Sequence, residues 1–152
     1  MLIKGEDNIT LELKVNNYEF PHITWGEDGN WLNIYFNIKS SLGEWETFYP
    51  CLRTWDVKEI IEWLKNLADN IGPKWKDQEF IEINISFQLL NNFNNKTKQI
   101  RCKINIDQFE KEFKPFPVNN YNEFSIIFYA DSIKLHTLAE ELQIEYDKFP
   151  IR

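Results

Sequence analysis

In residues 8–15, NITLELKV, every second side chain is apolar: Ile9, Leu11, Leu13 and Val15 face one way, and Thr10, Glu12 and Lys14 the other. A period of two sends successive side chains to opposite faces, so the segment is a half-buried strand. The alternation returns in WLNIYFNIKS, with Leu32, Ile34, Phe36 and Ile38 on the core face. It returns again in EFIEINISFQLL, which turns Ile81, Ile83, Ile85, Phe87 and Leu89 inward, and in KQIRCKINID through Ile100, Cys102, Ile104 and Ile106. EWETFYP follows WLNIYFNIKS after SLG and completes a β-hairpin, while FSIIFYA is apolar on both faces and predicts a well-covered strand. NNYEFP predicts a turn or bulge. GEDGN and the Asn-rich NNFNNKT are hydrated connections, and the two prolines of KPFPVNNYN exclude it from a central strand.

Two segments change period. Val57, Ile60, Ile61, Leu64, Leu67, Ala68 and Ile71 recur at three- and four-residue steps, one stripe of an α-helix. Thr54 or Asp56 is its expected cap, Asp56 and Glu59 having capping-box spacing, and Gly72 with Pro73 is its expected stop. The second helix carries Leu135, Leu138, Ala139, Leu142, Tyr146 and Phe149 on one side, with Asp131 or Ser132 as cap. The expected fold is therefore α+β: about six strands, mostly antiparallel, with one helix mid-chain and one at the C-terminal end. No sequence repeat and no linker divides residues 1–152, so a single domain is expected.

Charge and composition narrow the function. The net charge of −7 and the pI near 4.9 argue against nucleic acid as a direct partner and favour a basic protein surface. No segment has the length and apolarity of a membrane span or a signal peptide, and two cysteines make no disulfide framework, so a cytoplasmic location is expected. Six Trp are more than a core of this size hides, and some are expected at a binding surface.

Signatures of catalysis are missing. The chain has no Gly-rich phosphate loop, no G-x-S-x-G elbow and no H-E-x-x-H, and its two histidines, His22 and His136, lack ligand or base spacing. Cys102 falls in line with isoleucines and reads as core. Cys51 follows Pro50 several residues before the expected helix cap and reads as packing at a strand-to-helix corner rather than as a nucleophile. The protein is thus expected not to be an enzyme and to need neither cofactor nor metal. Two acidic-aromatic groups stand out as partner-binding candidates: Glu44, Trp45 and Glu46 in a strand, and Glu59, Glu62 and Trp63 on the outer face of the first helix.

Read together, NYEFP, NWLNIYFNIKS, PCLRTWDVKEIIEWL, FIEINISF and the closing KFPIR resemble the WapI family of immunity proteins. The family pattern is a W-L strand, a P-x-L-x-T-W/F corner opening a helix, an F-x-E-P-N-L-x-F strand and a terminal F-P-x-R. Trp31 with Leu32, Pro50 to Trp55, Phe80 to Phe87 and Phe149 to Arg152 match these, with Ile83 standing where the pattern has Pro. The resemblance implies an inhibitor that binds the C-terminal toxin domain of a secreted bacterial effector. Such toxins are often nucleases with basic clefts, and occlusion by acidic and Trp side chains is the expected mechanism. A carbohydrate- or small-molecule-binding module stacking its ligand on exposed Trp is the alternative from residue type alone.

Overall fold

The computed structural model describes residues 1–107, 109 and 122–152. Among them are eight strands in two antiparallel sheets, two α-helices, and short 3-10 turns at Glu6–Asn8 and Asp28–Asn30. The first sheet is a meander of β1 (Leu2–Lys4), β2 (Thr10–Tyr18), β3 (Trp31–Ser40) and β4 (Gly43–Arg53). The second is a meander of β5 (Asp77–Gln78), β6 (Ile85–Phe93), β7 (Thr97–Asn105) and β8 (Glu123–Asp131). Helix α1 (Thr54–Ala68) continues β4 without a loop, and α2 (Ser132–Tyr146) continues β8 in the same way. The α+β class holds; β1 and β5 are too short to show periodicity, which is why the pattern predicts fewer strands.

The sequence has no repeat, yet the fold repeats a four-strand meander that runs directly into a 15-residue helix. Burial repeats where identity does not: Val57, Ile60, Ile61 and Leu64 correspond in order and spacing to Leu135, Leu138, Ala139 and Leu142, all buried. Even the first helical hydroxyls act alike, Thr54 Oγ1 donating to Asn30 O at 3.3 Å and Ser132 Oγ to Ala68 O at 2.7 Å. The helices pack against each other, linked also by His136 Nε2 and Asp69 Oδ1 at 2.9 Å.

Alternation places the core as expected in β2, β3 and β7, where Leu11, Leu13, Val15, Leu32, Ile34, Phe36, Ile38, Ile100, Cys102 and Ile104 are buried. The irregularity expected at NNYEFP is a bulge within β2, between Val15 and Asn17. In β6 the alternation misleads. Ile81 and Ile83 are 64% and 60% exposed, because the strand begins only at Ile85 and residues 79–83 pair with no strand among the described residues. In β8 only one face is covered: Phe124, Ile126, Phe128 and Ala130 are buried, whereas Tyr129 is 48% exposed on this edge strand. KPFPVNNYN lies outside the described residues apart from Asn122.

Helix boundaries also differ in detail. Arg53, not Thr54 or Asp56, is the N-cap of α1, and Asp56 takes the role expected of Glu59 by accepting Arg53 N at 2.8 Å. The helix ends at Ala68, well before Gly72, and Asn70, just past the C-cap Asp69, has a left-handed φ of 57°. Ile71 N then donates to Asn66 O at 2.9 Å and Asn70 N to Leu67 O at 3.3 Å, the Schellman pattern. Ile71 falls past this stop and is exposed rather than part of the stripe. At α2, Asp131 caps as expected, accepting from Lys134 N at 2.8 Å.

Gly5 lies against the edge of β8. A Cβ there would meet Ile126 Cγ2 at 2.4 Å and Ile127 O at 3.0 Å, so only hydrogen lets the chain after β1 approach the second sheet. The buried apolar side chains of both sheets and both helices form one contiguous cluster. Ile61 sits in it at 2% exposure. Ile61→Ala is expected to lower unfolding free energy by about 2–5 kcal/mol, measured by denaturant titration; an unchanged midpoint would contradict its place in the core.

Candidate functional site

The segments that carry the family pattern meet at one end of the first sheet. Asn30 is 1% exposed and holds the C-terminal tail from both sides: its Oδ1 accepts Arg152 N at 3.0 Å, and its Nδ2 donates to Arg152 O at 3.2 Å and to Gly26 O at 2.7 Å. The Arg152 guanidinium lies 3.4 Å from the Tyr18 ring centroid and donates to the carbonyls of Pro21 and Ile23 at 3.3 and 2.9 Å. Tyr18 OH donates to Pro150 O, and its ring meets Phe149 edge-on at 5.4 Å. The tail is thus a clasp that fixes the loop after β2.

Next to it is the strand-to-helix corner. Arg53 Nε and a terminal nitrogen reach Asp56 Oδ2 and Oδ1 at 2.9 and 3.0 Å, a fork held between Trp31 and Trp55, whose ring centroids are 5.7 and 4.8 Å from the guanidinium carbon. The hydrogen bond to Asp56 holds the Arg53 pKa above its ordinary value, with Asp56, Glu27 and Glu59 adding to the effect by their charge. Cys51 is fully buried in this corner, and desolvation pushes its thiol far up, away from the thiolate a nucleophile needs. Burial raises the Cys102 thiol likewise. Among the described residues no three His, Cys, Asp or Glu side chains are grouped to hold a metal, and no helix is long and apolar enough to cross a membrane.

The six partner-binding candidates separate. Glu44 and Glu46 are exposed on the outer face of β4, but Trp45 between them is 3% exposed and packs edge-on against Phe109 at 5.2 Å. Alternation requires this: with its neighbours outward, Trp45 turns inward beside Ile38. The exposed aromatic of that face is Phe48, against Tyr35 at 5.0 Å. Glu44 accepts from Asn37 at 2.7 Å and pairs with Lys39 at 2.9 Å, contacts that lower its pKa, and Glu46 accepts from Tyr35 OH at 2.9 Å.

Glu59 and Glu62 are exposed on α1, but Trp63 is 3% exposed, covered by the connection from α1 to β5. Its Nε1 donates to Trp75 O at 3.1 Å, and its ring faces Phe87 at 6.3 Å. Neither Trp45 nor Trp63 is the exposed anchor expected from composition. That position belongs to Trp75, 62% exposed, and Trp25, 78% exposed, both in irregular segments where no periodicity marks them. Trp75 walls a cleft of about 210 Å³ that Glu59, Glu62 and Asn66 share with it. Trp25 stands on the clasped loop with His22, Glu27 and Asp28.

A third concavity, between Glu19, Trp31, Tyr49, Pro50 and Glu82, brings two carboxylates together. Partial burial raises the Glu19 pKa, and Asp28 and Glu82 raise it further.

The model of the Immunity protein WapI-like family matches residues 1–150, and the chain belongs to that family. No curated protein and no solved structure matches it. An immunity function, through binding of a cognate toxin protein, follows from the family.

Two outcomes test the clasp and the acidic pair. Asn30→Ala removes three hydrogen bonds at a buried site and is expected to cost roughly 1–3 kcal/mol, with faster hydrogen exchange in residues 20–28. A carboxyl with a raised folded pKa binds its proton more tightly when folded. It therefore costs stability above the ordinary carboxylate range and is neutral below it. Glu19→Gln is accordingly expected to raise the melting temperature at pH 7, and the gain should vanish as the pH falls below about 4, where Glu19 is protonated in both states.

Proposed function

We propose that the protein neutralises a basic toxin domain of the nuclease type by docking acidic side chains over its substrate path inside the cell that makes both. The carrying observation is a net charge of −7 with exposed carboxylates on α1, Glu59 and Glu62, that are not tied up as Glu44 and Glu46 on β4 are by Asn37, Lys39 and Tyr35, in a family of immunity proteins. A nuclease cleft is basic because it holds phosphates, so opposite charge speeds encounter and fixes orientation. Occlusion asks for no chemistry from the inhibitor, in keeping with cysteines buried as thiols.

The test is co-expression with the C-terminal domain encoded by the adjacent gene. A one-to-one complex should persist through size-exclusion chromatography, with association slowing as salt rises. Separate elution of the two proteins at micromolar concentration would refute the proposal.

A further inference from the structure

Resting on that reading, we infer that the toxin docks on the face bounded by Trp25 and Trp75, and that one of its Lys or Arg side chains enters the cleft against Trp75, between Glu59 and Glu62.

Three observations carry this. First, Trp75 is exposed while its backbone is held: the buried Trp63 indole donates to its carbonyl, which keeps the residue at the cleft wall. Lys74, which also lines the cleft, has its Nζ 5.4 Å from the Trp75 centroid, so the ring accepts an ammonium group, and a partner cation would take over this contact from Lys74.

Second, the carboxylates here are available. Glu59 makes no ion pair among the described residues, and Glu62 has only a loose 3.7 Å contact with exposed Lys58. On β4, by contrast, Glu44 and Glu46 are committed to Asn37, Lys39 and Tyr35. A partner cation gains more from carboxylates that need not first release a neighbour.

Third, the loop bearing Trp25 is tied to the start of α1: Asn30 O accepts Thr54 Oγ1 at 3.3 Å, and Asn30 Nδ2 donates to Gly26 O at 2.7 Å. The clasp by Arg152 and Asn30 holds that loop in shape. Each Trp offers roughly 150–250 Å² of surface, against about 800 Å² per partner in a standard interface. Two exposed Trp, with Glu59 and Glu62, therefore supply a large part of one docking surface. The buried Trp63 is a positioning residue for the exposed Trp75.

The experiment measures affinity for the toxin domain encoded by the adjacent gene with wild-type protein, Trp75→Ala, Glu59→Gln/Glu62→Gln and Glu44→Gln/Glu46→Gln. All the substituted side chains are exposed, and unchanged melting curves confirm that the variants fold. The expected result is a loss of about tenfold or more for the first two variants and less than about twofold for the β4 pair. A complex whose affinity withstands both cleft variants would overturn the assignment of this face and leave the immunity reading intact. No complex with the wild-type protein would overturn both.

Discussion

The fork between Arg53 and Asp56 sets the geometry on which the first half of the molecule depends. Arg53 is at once the last residue of β4, the partner of Trp31 across the sheet and the residue before the first turn of α1. Its side chain is 12% exposed and that of Asp56 4%, so the pair carries a desolvation cost. Two parallel hydrogen bonds, the Arg53 backbone N–H and the flanking Trp31 and Trp55 rings offset it. With no loop between strand and helix, the direction of α1 is imposed by the sheet. The outward face of the helix, with Glu59 and Glu62, is fixed with it.

The second half uses a cheaper version of the same corner. Asp131 caps α2 with its own carboxylate, and Ser132 reaches back to the end of α1. The repetition of strand-into-helix units lets two meanders share one core: the helices pack on each other, α2 also meets β1 and β2 of the first sheet, and Trp63 of α1 faces Phe87 of the second. The segments that mark the family are mostly spent on this framework. Tyr18, Asn30, Arg53, Asp56 and Arg152 hold backbone and one another, while the residues available to a partner lie beside them. An immunity protein built this way can keep its scaffold while its docking side chains change to follow a toxin.

The candidate surface was only partly legible in local pattern. Trp45, expected in an acidic-aromatic patch with Glu44 and Glu46, is buried, because strand alternation turns it inward once its neighbours turn out. Trp63 is different: three residues after Ile60 and four before Leu67, it lies at the flank of the helical stripe, where exposure depends on what crosses it. The connection carrying Trp75 does so. Trp25 and Trp75 had no local signal, because irregular backbone imposes no period on side-chain direction.

Strand and helix identity, the core faces of β2, β3 and β7, and the cap of α2 follow from periodicity and short-range hydrogen bonding, because those forces act between residues near in sequence. Where β6 begins and which Trp reaches solvent were settled only by tertiary structure. Each depends on whether another segment arrives to pair with or cover a side chain: with no partner strand among the described residues Ile81 and Ile83 stay in water, and the connection that carries Trp75 buries Trp63. The meeting of residues 18–30 with Arg152 is the clearest case. Nothing local joins them, and only the closed chain brings the clasp together.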